Sequence, residues 1–258
     1  MPELHGGTGT WIEDVHRACT GELLELNVLD HGYVNEVEHW GSDERIIESA
    51  RMSTDGSFRG WDVDTKLLHY LWDHKHHSPF EMGGLTIEVQ SPIFVAREWM
   101  RHRTQSYNEL SGRYTELPDL FYIPSIERLM GGKQGVKNKQ GSEEGFSEID
   151  AKWFQQFLQD TTDFTRQAYV DLLGWGVARE LARLVVPVNQ YTRFRASANL
   201  RNWLAFLSLR LDRTAQWEIR QYAQEVAKII QEHFPRTYAL FDKSSGGGVL
   251  SPDAEKDH

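Results

Sequence analysis

From Gly84 to Gln90 the chain alternates strictly: Leu85, Ile87 and Val89 are apolar, while Thr86, Glu88 and Gln90 are polar. A period of two places the apolar set on one face of a strand and leaves the other face half exposed. A helical signal follows at once. Ser91 reads as an N-cap and Pro92 as the first helical residue, ahead of Ile93, Phe94 and Ala96–Trp99, with Arg101–Arg103 near the helix end.

Elsewhere strand and helix signals are mixed. Leu23–Val34 reads as one or two strands, and Asp43–Met52 and Val63–His74 as helices separated by the loop Ser53–Trp61. Pro118–Ile123 reads as extended, and Gly131–Glu148 as a polar insertion expected to be a mobile loop. Phe154–Leu173 has the period of a long amphipathic helix closed near Gly174 and Gly176, and Val177–Val186 that of a helix stopped by Pro187. Asn189–Arg195 reads as a strand, Leu200–Leu211 and Thr214–His233 as helices, and residues 244–258 as a polar tail. No internal repeat or linker divides the chain, and βαβ alternation is absent. The expected fold class is therefore α+β, with mixed helices around a central β-sheet in a single catalytic domain over residues 1–243.

The chain has 258 residues, enough for a sizeable core, and its net charge of −10 argues against a general nucleic-acid binder. One cysteine, Cys19, excludes an intrachain disulfide and a cysteine-based metal site. No long apolar run is present, so no membrane span is expected, and a cytoplasmic location is. Asp73, His74, His76 and His77 are too close in sequence to converge on one ion from a helix, no HExxH pattern occurs, and no metal site is expected.

Against this acidic background stands RHRTQSYNELSGRY, residues Arg101–Tyr114. It concentrates three guanidiniums, an imidazole, two serine hydroxyls, an amide and a carboxylate, with few apolar residues. Guanidiniums fork onto phosphates and carboxylates, and Ser111-Gly112 allows close backbone approach to an anion. A local positive site in a negative molecule suits a small polyanion. Outside the motif, Trp203, Leu207 and Arg210 fall on one helical face, so the Arg210 guanidinium is only partly hydrated and needs an acceptor. By spacing alone that acceptor is an Asp or Glu as readily as a substrate.

The pattern RHRxxSxNExSxRY resembles the signature of the flavin-dependent thymidylate synthases, and every fixed position is filled. The likeness extends to HHSPFE at His76–Glu81, SPIFVAREWMRHR at Ser91–Arg103, ARLVVPVNQYTRF at Ala182–Phe194, Asn199 to Arg201, and LRLDRTAQWEI at Leu209–Ile219. It runs in order from about Leu26 to Phe241. The resemblance implies reductive methylation of dUMP to dTMP, with methylenetetrahydrofolate as carbon donor and NADPH as reductant through FAD. It also implies a homotetramer with shared active sites.

By the same resemblance, His76, Ser78, Arg101, His102, Arg103, Glu109, Asn199, Leu200 and Arg201 contact FAD. The dUMP set is Glu98, Trp99, Met100, Arg101, Glu109, Leu110, Ser111, Gly112, Arg113, Arg183 and Arg210. Ser111 and Gly112 donate to phosphate, Arg113 neutralises it, and Arg210 lies beside the uracil, favouring ionisation at N3. Asn199 also reads as a helix N-cap.

Three positions depart from the family pattern. Glu98 stands where relatives often carry Gln, and needs Arg97 or Arg101 as a partner if it lies near a phosphate. Ala205 and Thr214 replace an Asn and a His seen in some. The Pro-Cys-His context of the cysteine-dependent thymidylate synthases is absent, so pyrimidine activation without a thiolate is expected. Two other classes remain open: an arginine-rich nucleotide- or RNA-binding module, and a metal-dependent nucleotide hydrolase.

Overall fold

A computed structural model describes residues 26–134, 142–143 and 145–245. Its centre is a five-stranded sheet: β1 (Leu26–Val28), β2 (Gly32–Trp40), β3 (Gly84–Pro92), β4 (Ser106–Glu109) and a strand at Tyr191–Asn199, called β7 because two short strands intervene. The spatial order is β1-β2-β3-β7-β4, with every neighbouring pair antiparallel. The helices are α1 (Asp43–Arg51), α2 (Trp61–Asp73), α3 (Ile93–Trp99), α4 (Ile126–Met130), α5 (Glu148–Gly174), α6 (Arg179–Ala182), α7 (Leu200–Arg210), α8 (Trp217–His233) and α9 (Pro235–Ser244). The mixed helices around a central sheet are those expected of an α+β chain.

The alternation of β3 translates directly into layers. Leu85, Ile87 and Val89 are buried opposite Ala198, Ala196 and Phe194 of β7. On the other face Thr86 donates to the Ser197 hydroxyl at 2.9 Å, and Arg195 pairs with Glu88 at 3.3 Å. Helices α7 and α8 cover the apolar face with Trp203, Phe206, Tyr222 and Val226, all fully buried. Burying the Trp203 indole requires a partner for its N–H, and the Leu85 carbonyl accepts it at 3.0 Å.

Several boundaries differ from the sequence reading. Ser91 is not an N-cap. β3 continues through Ser91 and Pro92, paired with Thr192 and Tyr191, and extended Pro92 (φ −58°, ψ 145°) precedes the helix. The first free N–H groups of α3 go to remote carbonyls instead: Ile93 to Gln190 at 2.9 Å and Phe94 to Val188 at 3.0 Å. The helix expected over Val177–Val186 is only α6 and a 3-10 turn at Arg183–Val185. α5 starts six residues before Phe154, because Ser147 caps it by accepting from Asp150 N at 3.1 Å.

Within the insertion, Lys133–Gln134 (β5) pairs with Ser142–Glu143 (β6); residues 135–141 and 144 lie outside the described residues. Residues 1–25, which include Cys19, and 246–258 also lie outside them. No helix among the described residues is long and apolar enough to cross a membrane.

Candidate active site

The motif Arg101–Tyr114 leaves the end of α3, turns, and returns as β4 on the sheet edge. β4 is polar and was not legible as a strand. Its ladder with β7, from Ser106 opposite Ser197 to Glu109 opposite Phe194, fixes it. Tyr107, on the core face, fastens the turn. Its hydroxyl donates to the His102 carbonyl at 2.8 Å, with Gln105 Oε1 at 3.1 Å and the Trp99 carbonyl at 3.3 Å also within reach. Burial pushes that phenol up to about 12.

At the turn, α7 delivers Arg210. Its Nε donates to His102 Nε2 at 2.8 Å, Nη1 pairs with the Glu98 carboxylate, and Nη2 donates to the Glu98 carbonyl at 3.0 Å. The last contact also caps a C-terminal carbonyl of α3. A carboxylate partner for Arg210 is thus present at the motif itself. That partner corrects the expectation for Glu98, which pairs with Arg210 rather than with Arg97 or Arg101. Arg97 and Arg101 are exposed, whereas α7 meets the turn, with Phe206 against His102 and Asn202 donating to the Thr104 carbonyl at 3.1 Å.

A guanidinium has no acceptor, so His102 Nε2 must be the bare nitrogen and Nδ1 carries the proton. Burial first, then the Arg210 charge, lowers the imidazole from 6.5 to about 4, and Glu98 opposes this only in part. The Phe206 ring stands edge-on to it at 4.9 Å. His102 is therefore a neutral acceptor at ordinary pH, unlike the three exposed cations near it.

The remaining predicted residues fall into three groups. Arg101 and Arg103 are exposed at the turn and make no ion pair among the described residues. Ser111, Gly112 and Arg113 form a turn beyond β4, in which Ser111 Oγ accepts from Arg113 N at 3.3 Å. Gly112 is cramped: a Cβ there would meet Leu117 at 3.1 Å. Arg113 pairs with Glu180 of α6 at 3.3 Å, and exposed Arg183 follows three residues later. The third group lies near the start of α7. Asn199 accepts from Asn202 N at 3.0 Å as the expected N-cap, Arg201 pairs with Glu81, and His76 and Ser78 are exposed before β3.

Two predicted residues, Trp99 and Leu200, have little side chain to offer a ligand, whereas Glu109 is exposed. Trp99 is fully buried against Phe206 and donates its indole N–H to Gln105 at 3.0 Å, and Leu200 is fully buried. Glu109 accepts from Thr192 Oγ1 at 2.7 Å, and Leu110 N donates to the Arg193 carbonyl at 2.8 Å. Any contact from Trp99 or Leu200 is limited to backbone. Glu98, His102 and Arg210 meet directly, and Arg113 of the Ser111–Arg113 turn pairs instead with Glu180.

A sheet edge rimmed by guanidiniums, with a carboxylate and a neutral imidazole orienting one of them, is equipment for an enzyme acting on an anionic substrate. Sequence comparison makes this specific. The profile of the family described as "Thymidylate synthase complementing protein" matches residues 37–236. The flavin-dependent thymidylate synthase of Thermus thermophilus is 44% identical over 220 residues, covering 85% of this chain and 79% of the relative. That of Thermotoga neapolitana is 41% identical over 227 residues, covering 88% and 98%. The UMP/dUMP methylase PolB from Streptomyces cacaoi, solved with 5-Br UMP, superposes with a TM-score of 0.76 at 34% identity, covering 86% of this chain and 97% of that one. This chain belongs to the flavin-dependent thymidylate synthase family.

Proposed function

We propose that the protein methylates dUMP to dTMP, using methylenetetrahydrofolate as carbon donor and NADPH as reductant through FAD, without a cysteine nucleophile. The observation that carries this reading is the Glu98–Arg210–His102 contact at the head of the family motif. Relatives named for flavin dependence support the cofactor, and a solved neighbour bound to 5-Br dUMP supports the substrate.

The donor set fits a flavin dinucleotide. Arg101 and Arg103 are exposed guanidiniums suited to its pyrophosphate, and His76, Ser78, Asn199 and Arg201 offer polar groups near the start of α7. Bound FAD would supply the hydride chemistry; the protein supplies orientation and charge. Ser111, Gly112, Arg113 and Arg183 hold the dUMP phosphate. Arg210 stabilises negative charge at uracil N3, because a guanidinium stays protonated while a neighbouring nitrogen ionises. Glu98 and neutral His102 hold that guanidinium in place. Pyrimidine activation then needs no thiolate, and Ser111 acts as a phosphate ligand.

The family resemblance implies a homotetramer whose sites are shared between subunits. A large apolar surface near the Ser111–Arg113 turn supports it too. Tyr114, Leu184 and Trp175 are each more than three-quarters exposed, and Ile149, Trp153, Phe157 and Phe164 form an exposed stripe along α5. The acidic balance and the single cysteine support a cytoplasmic enzyme rather than a nucleic-acid-binding or secreted one.

The deciding assay is dTMP formation from dUMP, methylenetetrahydrofolate and FAD at low oxygen, with and without NADPH, with UMP run in parallel. Product from dUMP that requires both NADPH and FAD supports the proposal. Product from UMP alone would move the substrate to the ribonucleotide, a reading the 5-Br UMP complex of the neighbour favours. No product from folded, flavin-loaded protein would overturn the proposal.

A further inference from the structure

Strand β2 contains a bulge at some distance from the motif, with β3 and β7 lying between β2 and β4. Glu36 pairs with Ile87 and Glu38 with Thr86, which leaves Val37 as the extra residue. In an unbroken strand Glu36 and His39 would point to opposite faces, being three residues apart. The bulge changes the parity. His39 pairs with Leu85, so Glu36 and His39 both lie opposite the buried set of β3. Glu36 Oε1 is 2.7 Å from His39 Nδ1.

The C-terminus of α8 arrives at the same place. His233 Nε2 lies 2.7 Å from Glu36 Oε2, and the His233 ring stacks on that of His39 at 3.6 Å and 17°. One ligating atom from each of the three residues lies within 4.8 Å of the others. Tetrahedral Zn²⁺ bonded at 2.0–2.2 Å needs its ligand atoms about 3.3 Å apart and in the plane of each ring, so the stacked His39 and His233 rings must turn apart to share one ion. The helix C-terminus adds partial negative charge to that of the carboxylate. Two imidazoles and one carboxylate form the mixed N/O set preferred by borderline divalent ions, not by Mg²⁺ or Ca²⁺. The His39 side chain is 42% exposed, which provides an entry path and room for a water ligand.

We propose that Glu36, His39 and His233 bind a Zn²⁺-class divalent cation that fastens the end of α8 to the bulged end of β2. The site is independent of the reading of the flavin and nucleotide site. It was hidden from sequence because neither Glu36-x-x-His39 on a strand nor His233 far downstream converges without the bulge and the packing of α8.

The test uses the full chain, stripped by chelator and titrated with Co²⁺ alone, followed by competition with Zn²⁺. The expected result is one saturating equivalent with the intense visible absorption of tetrahedral cobalt, displaced by Zn²⁺. His39→Ala and Glu36→Gln should each weaken Co²⁺ binding roughly a hundredfold, while a His74→Ala, His77→Ala double variant binds as the parent does. His39→Ala removes the most accessible ligand, so it carries the test should Glu36→Gln fail to fold. No saturable Co²⁺ binding, meaning a hydrogen-bonded triad only, would overturn the proposal. So would unchanged binding in His39→Ala, or loss of binding in the His74, His77 variant.

Discussion

Acidification should weaken the fold through His102 in a defined window. Burial and then Arg210 lower this imidazole to about 4, whereas in the unfolded chain it titrates near the ordinary histidine value of 6.5. Between those values the unfolded chain binds a proton that the native state refuses. Stability is then at its plateau above about 6.5 and falls as pH drops toward 4. The full gap corresponds to about 3 kcal/mol. The ring is only half-buried, so screening by solvent reduces the expected effect to about 1–2 kcal/mol. The assay compares urea unfolding at neutral pH and near pH 4.5 for the parent and His102→Gln, whose amide oxygen still accepts from Arg210 but does not titrate. Carboxylates titrate in both proteins and cancel in the difference. The parent should lose about 1–2 kcal/mol more than the variant on acidification. Removing the guanidinium in Arg210→Met should raise the His102 pKa, as read by histidine NMR against the His102→Gln spectrum. Equal losses in parent and variant, with the His102 resonance titrating near 6.5, would refute the buried neutral imidazole.

Arg210→Lys should lower kcat on the order of 10²–10³ while dUMP binding changes less, because an ammonium cannot hold Glu98, His102 and a developing anion in one plane. An equal loss in dUMP affinity would assign Arg210 to ground-state binding instead. Cys19→Ala should turn over as the parent does; inactivity with an unchanged circular dichroism spectrum would restore a thiolate mechanism. Buried Asp43 accepts from Arg236 N at 2.7 Å, Thr237 N at 3.1 Å and Thr237 Oγ1 at 2.6 Å, and so caps α9 from a distance. Asp43→Ala should therefore cost about 2–4 kcal/mol in urea unfolding, and Asp43→Asn less, since it keeps an acceptor. A loss below about 0.5 kcal/mol in Asp43→Ala would show that solvent replaces the cap.

Much of the fold was legible where a period was strong. The alternation of Gly84–Gln90 located β3, and the apolar spacing of Leu200–Leu211 and Thr214–His233 located α7 and α8 to within a few residues. Errors arose where remote partners overrode local signals. Ser91-Pro92 looks like a helix start, yet β7 holds it in the sheet. Ser106–Glu109 has no hydrophobic alternation, yet β7 makes it a strand. In the candidate site, the motif's residues are neighbours in sequence, and the structure adds their meeting with Arg210. The sequence also identified Glu98 and Arg210 individually, but not as partners.

The sequence by itself determined the family, through a fixed spacing of charged and polar residues. It also determined the elements whose periodicity is written along a single segment. Tertiary structure alone decided which distant groups meet. Arg210 reaches Glu98 and His102 across more than a hundred residues, and His233 reaches Glu36 across nearly two hundred. The physical reason is that periodicity reports which face of an element avoids water, whereas the meeting of two elements depends on registers, bulges and packing directions set by the whole core.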